Sequence, residues 1–286
     1  MKISVVVPSY QQGRFIGQTL DSLLNQNYPD LEVLVFDGGS TDETVEVLQS
    51  YGDRIRAVSR KDHGQTDAIN QGMRQASGEI LAYLNSDDVY LPGTLERVAR
   101  YFEDNPDALI LYGQAYYLNA DGSVMKRYAS EPWSYRRLLD VCYICQPAVF
   151  WRREVMDRFG VFDDRLDLAM DYDYWLRVGR HVPFAYLEDA YLAGSRLHAD
   201  TKTLSQCVKV NHEVLQVVMR YAPEPPVAWL LSLARAIVVH QKASSFRGKM
   251  AHKLKRALIM ETVMEQAEHY QFPIGKSLLE RMERIL

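Results

Sequence analysis

Apolar positions in the first 110 residues follow two alternating rhythms. Short unbroken runs at residues 3–7 (Ile-Ser-Val-Val-Val), 31–36 (Leu-Glu-Val-Leu-Val-Phe) and 80–84 (Ile-Leu-Ala-Tyr-Leu) have the β-branched, continuous character of strands buried on both faces. A weaker run at 55–59 reads as a further strand. Between the first two runs, Phe15, Leu20, Leu23 and Leu24 recur at helical spacing, and the pattern ends near Asn27-Tyr28-Pro29. Residues 43–51 and 66–76 also read as helices. Ser40 or Thr41 is placed to cap the first of these, with Asp42 and Glu43 favourable at its positive end. Strands alternating with helices predict an α/β domain with a mostly parallel sheet flanked by helices on both faces.

Beyond residue 108 the texture changes. Aromatic, strand-like segments occupy 109–112, 115–118 and 124–128, and Asp121-Gly122 gives a hairpin signal between the last two. A helical stretch at 133–139 precedes an apolar strand at 149–151, a further helix and the segment 163–178. From about residue 202 onward nearly everything reads as helix, and Ala222-Pro223-Glu224-Pro225-Pro226 marks a hinge. The expected organisation is one domain over 1–202, with halves 1–110 and 111–202, followed by a helical region over 203–286.

Charge sharpens that division. Residues 226–286 carry ten Lys/Arg against five Glu, although the whole chain is at −4, so an acidic bulk precedes a basic tail. No nucleic-acid partner is expected. Three cysteines cannot all pair, and Cys142-x-x-Cys145 lies in an apolar segment with no second pair to complete a zinc site. Reduced, buried thiols and a cytoplasmic location are expected. No signal-peptide pattern opens the chain. The apolar stretch 227–239 is broken by Arg235 and is shorter than a membrane span. A soluble or peripheral protein is expected.

The candidate chemistry lies where the runs end. Pro8-Ser9-Tyr10, Asp37-Gly38-Gly39-Ser40 and Asn85-Ser86-Asp87-Asp88 each follow a strand directly, and Asp62-His63-Gly64-Gln65-Thr66-Asp67 follows the weaker one. Open α/β sheets bind ligands at their carboxyl edge. Adjacent carboxylates there suit Mg or Mn, which keep positions open for phosphate oxygens. The duller reading makes Asp87 and Asp88 caps for the helix near Leu91-Pro92. There is no G-x-G-x-x-G after the first strand and no P-loop anywhere.

The runs VVVPSYQQGRFIGQTLDSLLNQNYPDLEVLVFDGGSTDET, DHGQTDAINQG, ASGEILAYLNSDD, QPAVFWRR and AMDYDYWLR with RLH resemble, in order from Ile3 to His198, family 2 glycosyltransferases of the GT-A fold. The resemblance implies a metal-dependent, inverting transferase using a nucleotide-sugar, most simply a UDP-sugar. It also implies a saccharide or lipid-linked saccharide acceptor and a place in bacterial surface polysaccharide or glycolipid assembly. By position, Asp37 would hydrogen-bond the base, with Pro8 and Tyr10 lining that pocket. Asp67 would sit near the base or ribose and Arg60 or Lys61 near the nucleotide. Asp87 and Asp88 would form the metal motif, with Asp88 favoured as direct ligand, and Asn85 beside them would contact the nucleotide-sugar, as would Asp87. Asp171 would be the base, and Arg196 and His198 would contact pyrophosphate or metal. A divalent ion, Mn or Mg, is the implied cofactor.

Each role has a rival. Asp37 also suits a turn cap, and Asp173 and Asp167 compete with Asp171. Tyr172 and Trp175 suit a core as well as a sugar platform, His198 and His63 suit ordinary hydrogen bonding, and Gln146-Pro147 suits a structural turn. The chain also departs from the pattern. It lacks Q-x-x-R-W, which argues for addition of one or few sugars, and its second loop keeps one aspartate where many relatives have two. A sugar nucleotidyltransferase would show a Gly- and Lys/Arg-rich first loop, which is absent; a catalytically silent binding module is the remaining rival. For the basic tail, with its run at 249–256, packing on the rest of the chain, self-association and peripheral membrane contact compete.

Overall fold

The computed structural model describes residues 1–239, 249–270 and 276–285, with two compact units. The first comprises residues 1–135 and 143–201, and the second 136–142 and 202–286.

The first unit is built on a nine-stranded sheet. The amino-terminal half alternates β1 (Ile3–Ser9), α1 (Gly13–Leu24), β2 (Leu31–Asp37), α2 (Thr44–Ser50), β3 (Arg56–Ser59), α3 (Gln65–Gln75) and β4 (Ile80–Tyr83). It continues through β5 (Val89–Tyr90), α4 (Thr94–Asp104), β6 (Ile110–Leu118), β7 (Val124–Arg127), β8 (Val149–Arg152), α6 (Arg153–Phe159), α7 (Met170–Gly179) and β9 (Ala185–Arg196). The helix α5 (Tyr135–Asp140) lies between β7 and β8 in sequence and falls almost wholly in the second unit.

The strands run in the order β3-β2-β1-β4-β8-β6-β9-β5, with β7 paired to β6. Pairs β1–β2, β1–β4, β2–β3 and β6–β9 are parallel. β8 is antiparallel to both its neighbours, so β6 runs the same way as β4. Six strands, β1 to β4, β6 and β9, therefore end at one edge, and β5, β7 and β8 oppose them. This matches the mostly parallel sheet expected. Every residue of β1 and β4 is buried, as double-sided coverage requires.

Three details differ from the sequence expectation. Residues 109–112 and 115–118 join in one strand, β6. The 12-residue strand β9 is not apparent in the sequence because Glu188-Asp189, both exposed, interrupts its apolar pattern; its register against β6 shifts across these two residues and again just beyond them. At α2 neither Ser40 nor Thr41 caps: the Asp42 carboxylate accepts the Thr44 N–H at 3.1 Å and the Gly13 N–H at 3.1 Å, holding α1 and α2 together. The fully buried aromatics Trp151 and Trp175 pack edge-on, their centroids 5.8 Å apart, and fix α7 against β8. Trp175 and Tyr172 are thus core residues.

The second unit contains α8 (Lys202–Ser205), α9 (Cys207–Val218), α10 (Val227–Ile237), α11 (Lys249–His269) and α12 (Lys276–Ile285). Val227, Leu231, Ala234, Val238, Ile259, Val263 and Met282 form its core. The Trp229 indole N–H donates to the Leu139 carbonyl at 3.1 Å, joining the 136–142 segment to α10. The side chains of the basic run 249–255 lie outside the described residues. Among the described residues no helix is long and apolar enough to cross a membrane.

Candidate functional site

The shared carboxyl edge brings Ser9, Asp37, Ser59, the Asn85–Asp88 loop and Arg196 together, since β1, β2, β3, β4 and β9 all end there. Asp87 and His198 form its most telling pair. Asp87 Oδ2 and His198 Nε2 are 2.9 Å apart, although 111 residues separate them in the chain. The ring of Phe15 packs on His198 with a centroid distance of 4.7 Å. His198 Nδ1 is buried without a hydrogen bond, and an Asp200 oxygen lies 3.9 Å from it.

Asp88 turns inward. Its Oδ1 accepts the Arg196 backbone N–H at 2.8 Å and its Oδ2 accepts from Asn85 Nδ2 at 3.2 Å. Burial, then the neighbouring Asp87 carboxylate, push its carboxyl well above the usual range, against the hydrogen bonds that hold it down. Asn85 links further, accepting from Gln65 Nε2 at 2.7 Å and donating to Gln146 Oε1 at 3.3 Å. Gln146 in turn donates to the Tyr83 carbonyl at 2.8 Å.

Arg196 is 2% exposed. Its guanidinium donates to Asp87 O, Ala120 O and Gln18 Oε1 at 2.8, 3.0 and 2.8 Å, joining the metal-motif loop to the β6–β7 hairpin and α1. Sequence reasoning missed Gln18 and the packing role of Phe15. Their spacing of three on α1 was the available signal.

Asp37 is 2% exposed and consumed by its own loop. Oδ2 accepts from Gly39 N, Ser40 N and Ser59 Oγ at 3.1, 2.9 and 2.6 Å, and Oδ1 accepts from Ser40 Oγ at 2.5 Å. The turn-capping reading describes its contacts. Asp67 likewise accepts from His63 N at 3.1 Å and Gln71 Nε2 at 2.9 Å, and its carboxyl is shifted down: burial opposes, but these hydrogen bonds and the His63 ring outweigh it. Pro8 lies in the paired part of β1, opposite Phe36, while Tyr10 just beyond is 62% exposed. The Arg60 side chain is exposed and donates to Gln71 Oε1 at 2.6 Å.

Asp171 occupies the first turn of α7. The segment leading to it is gripped by α3: Thr66 Oγ1 donates to Leu166 O at 2.5 Å, and Asn70 exchanges two hydrogen bonds with the Phe162 backbone at 2.9 and 3.0 Å. Asp167 Oδ1 lies near Gly64, 3.4 Å from where a β-carbon would stand. Asp173 is buried and pairs with Arg177 at 3.7 Å.

Among the described residues no group of three or more His, Cys, Asp or Glu side chains is arranged to enclose a metal ion. The Asp87–His198 pair fits an open site instead. Its 2.9 Å separation matches the edge of an octahedron with bonds of about 2.0–2.1 Å. Magnesium-type ions are typically held by one or two protein ligands plus substrate phosphates and water.

The sheet with six strand ends at one edge, carrying an aspartate-rich loop and a histidine, has the layout of the GT-A fold. Residues 4–158 match the sequence profile described as glycosyl transferase family 2, and the chain belongs to that family. An uncharacterized glycosyltransferase of Rickettsia felis is 30% identical over 216 residues, 69% of this chain and 34% of the relative. Chondroitin synthase of Escherichia coli is 27% identical over 188 residues, 65% of this chain and 27% of that protein. These two matches thus span about a third or less of each relative's length. Among solved structures, S. aureus TarS 1-349 in complex with UDP-GlcNAc superposes with a TM-score of 0.62 at 18% identity, covering 92% of this chain and 82% of that one. The mannosyltransferase PcManGT of Pyrobaculum calidifontis, in complex with GDP-Man and Mn2+, gives 0.61 at 17% identity, covering 99% and 83%.

Proposed function

We propose that this glycosyltransferase moves a sugar from a nucleotide-sugar, with inversion and with a divalent cation, onto an acceptor hydroxyl in polysaccharide or glycolipid assembly. The Asp87–His198 pair at the carboxyl edge carries this reading. It offers one anionic oxygen and one imidazole nitrogen at the place where four loops converge. A relative that makes chondroitin and structural neighbours holding UDP-GlcNAc or GDP-Man support the substrate class.

Asp87 and His198 would hold the cation, which when bound supplies positive charge to a leaving diphosphate. Arg196 and Asp88 act behind them. Arg196 fixes the Asp87 backbone, and Asp88 ties the loop to β9, so that Asp87 faces outward. Arg60, exposed beside the nucleotide loops, is assigned to the nucleotide. Asp171, at a helix amino terminus that favours an ionised carboxylate, is assigned as the base that takes the acceptor proton during attack. A single base acting opposite the leaving group would give a single displacement, hence inversion.

The test is calorimetric binding of UDP-, GDP- and dTDP-sugars to the whole chain with Mn, with Mg and with EDTA. Metal-dependent binding of one nucleotide class, lost in both Asp87→Ala and His198→Ala while the fold persists, is the expected result. Failure of the folded chain to bind any of them would overturn the reading. Binding without release of free nucleotide in the presence of saccharide acceptors would make it a silent module.

A further inference from the structure

A neutral imidazole carries one ring proton, and the two nitrogens of His198 compete for it. Nε2 faces the Asp87 carboxylate at 2.9 Å, and a carboxylate only accepts, so in that arrangement the proton sits on Nε2 and Nδ1 is a bare lone pair. For Nε2 to turn a lone pair on a cation instead, the proton must move to Nδ1. The ring then ligates well only if Nδ1 has an acceptor for that proton.

Solvent does not supply one. Nδ1 is buried without a hydrogen bond, the His198 side chain is 6% exposed, and the buried Phe15 ring packs on the imidazole. A proton placed there would be an orphaned buried donor, which is costly. One carboxylate stands close. Asp200 Oδ2 lies 3.9 Å from Nδ1, on a side chain that is 92% exposed and takes no hydrogen bond among the described residues. One tight turn carries both groups. The Thr201 N–H donates to the His198 carbonyl at 3.0 Å, and the His198 N–H donates to Thr201 Oγ1 at 2.9 Å. Asp200 is therefore the third residue of a turn that begins at His198. Closing 3.9 Å to a charge-assisted hydrogen bond of about 2.8 Å takes a shift of about 1 Å, in a side chain with no other partner to release.

We propose that Asp200 is the positioning residue of His198, its carboxylate accepting the Nδ1 proton when Nε2 faces a cation and so fixing the tautomer and plane of the ring. The inference rests on the cation reading above and adds to it a carboxylate that touches neither cation nor donor.

The experiment uses the whole chain as wild type, Asp200→Ala and Asp200→Asn. Mn affinity is read from the paramagnetic resonance of free Mn with UDP or GDP present. The tautomer is read from long-range proton–nitrogen spectra of histidine-labelled protein with Mg in place of Mn, the His198 signals being those lost in His198→Gln. Wild type should pass from the Nε2–H to the Nδ1–H tautomer when Mg and nucleotide are added. Asp200→Ala should lose roughly ten- to a hundredfold in Mn affinity at an unchanged melting temperature. Asp200→Asn, which keeps an acceptor oxygen, should lose less. Wild-type Mn affinity in Asp200→Ala, or an Nε2–H tautomer that persists with Mg bound, overturns the proposal and leaves the cation reading intact. Equal losses in the two variants overturn it too, because they would make Asp200 a charge acting at a distance rather than an acceptor. Absence of Mn binding to folded wild type with either nucleotide overturns both.

Discussion

Gly72 is the narrowest point between helix and sheet, and replacing it with alanine tests whether that closeness is needed. An added β-carbon would stand 2.3 and 2.8 Å from the two methyls of Val6 and 3.1 Å from its β-carbon. Carbon contacts are ordinarily about 3.5–4.0 Å, so α3 must retreat by about 1 Å or Val6 must move. Val6 is fully buried and β-branched, on a strand hydrogen-bonded to β2 and β4, so it has little freedom to turn. Overpacking of this kind costs about 1–3 kcal/mol, and rigid surroundings put this site near the upper value. Against that, Gly→Ala inside a helix gains about 1 kcal/mol. The expected net effect of Gly72→Ala is a loss of about 2 kcal/mol, or roughly 4–8 °C in Tm for a unit of this size. Guanidinium unfolding followed by fluorescence of the buried Trp151 and Trp175 reads it, with an unchanged m-value as the check that stability alone moved. Val6→Ala removes the offending methyls. On that background Gly72→Ala should cost nothing and gain up to about 1 kcal/mol, a coupling that independent sites would not show. A Gly72→Ala chain as stable as wild type would refute the reasoning. The same variant should weaken nucleotide binding, because α3 carries Gln65, which holds Asn85, and Thr66 and Asn70, which hold the segment before Asp171.

Asp171→Asn should lower turnover by roughly a hundred- to ten-thousandfold with donor affinity unchanged, whereas Asp173→Asn should mainly destabilise, because the buried Asp173 pairs with Arg177; the reverse pattern in steady-state kinetics and melting would transfer the base role to Asp173. Burial raises the Glu32 carboxyl, but donors on Ser4, Ser77 and Lys2 outweigh it and bring the pKa to about 2. With a folded pKa below the unfolded one, Glu32 stabilises at all pH values above about 4.5 and loses that contribution as pH falls toward 2. Glu32→Gln should therefore flatten that part of the stability-against-pH curve, and a curve parallel to wild type there would count against it. Asp42→Ala, which removes the acceptor shared by Gly13 N and Thr44 N, should cost about 1 kcal/mol in chemical denaturation.

The sheet was legible because its strands announce themselves. Residues 3–7, 31–36 and 80–84 are apolar on both faces, and that pattern belongs to parallel strands covered by helices. β9 was not legible. Its apolar run is interrupted by exposed Glu188 and Asp189, and its pairing with β6, 74 or more residues away in sequence for every register pair, leaves no local trace. The loops of the site could be read as chemistry but not as roles. Asn85, Asp87, Asp88, Arg196 and His198 do converge, yet Arg196 faces inward to Asp87 O, Ala120 O and Gln18. Asp88, favoured on position as the direct ligand, spends its oxygens on Arg196 N and Asn85. Which of two adjacent aspartates faces outward depends on the strand that arrives beside them from a hundred residues further along.

A common rule separates the aspartates of this edge. After a strand, an aspartate side chain competes for backbone N–H groups two or three residues ahead. Where the following backbone turns back, as at Gly39 and Ser40 behind Asp37 or at Thr44 behind Asp42, the carboxylate is consumed in building the loop. Where another element supplies the donor, as Arg196 does for Asp88, the carboxylate welds two loops. Asp87, held through its backbone carbonyl by Arg196, keeps its carboxylate for His198 and whatever lies beyond. Asp62 gives Oδ1 to the Gly64 N–H, two residues ahead, as the loop-building aspartates do. The consumed carboxylates make the remaining ones useful, because a charge aimed at a ligand contributes little unless its loop is already rigid before the ligand arrives. Substitutions should therefore fall into two groups: at Asp37, Asp42 and Asp88, stability and binding should fall together, and at Asp87, binding should fall with the melting temperature unchanged. A loss of stability at Asp87 equal to that at Asp37 would show that both carboxylates build the loop and that neither is kept for the donor.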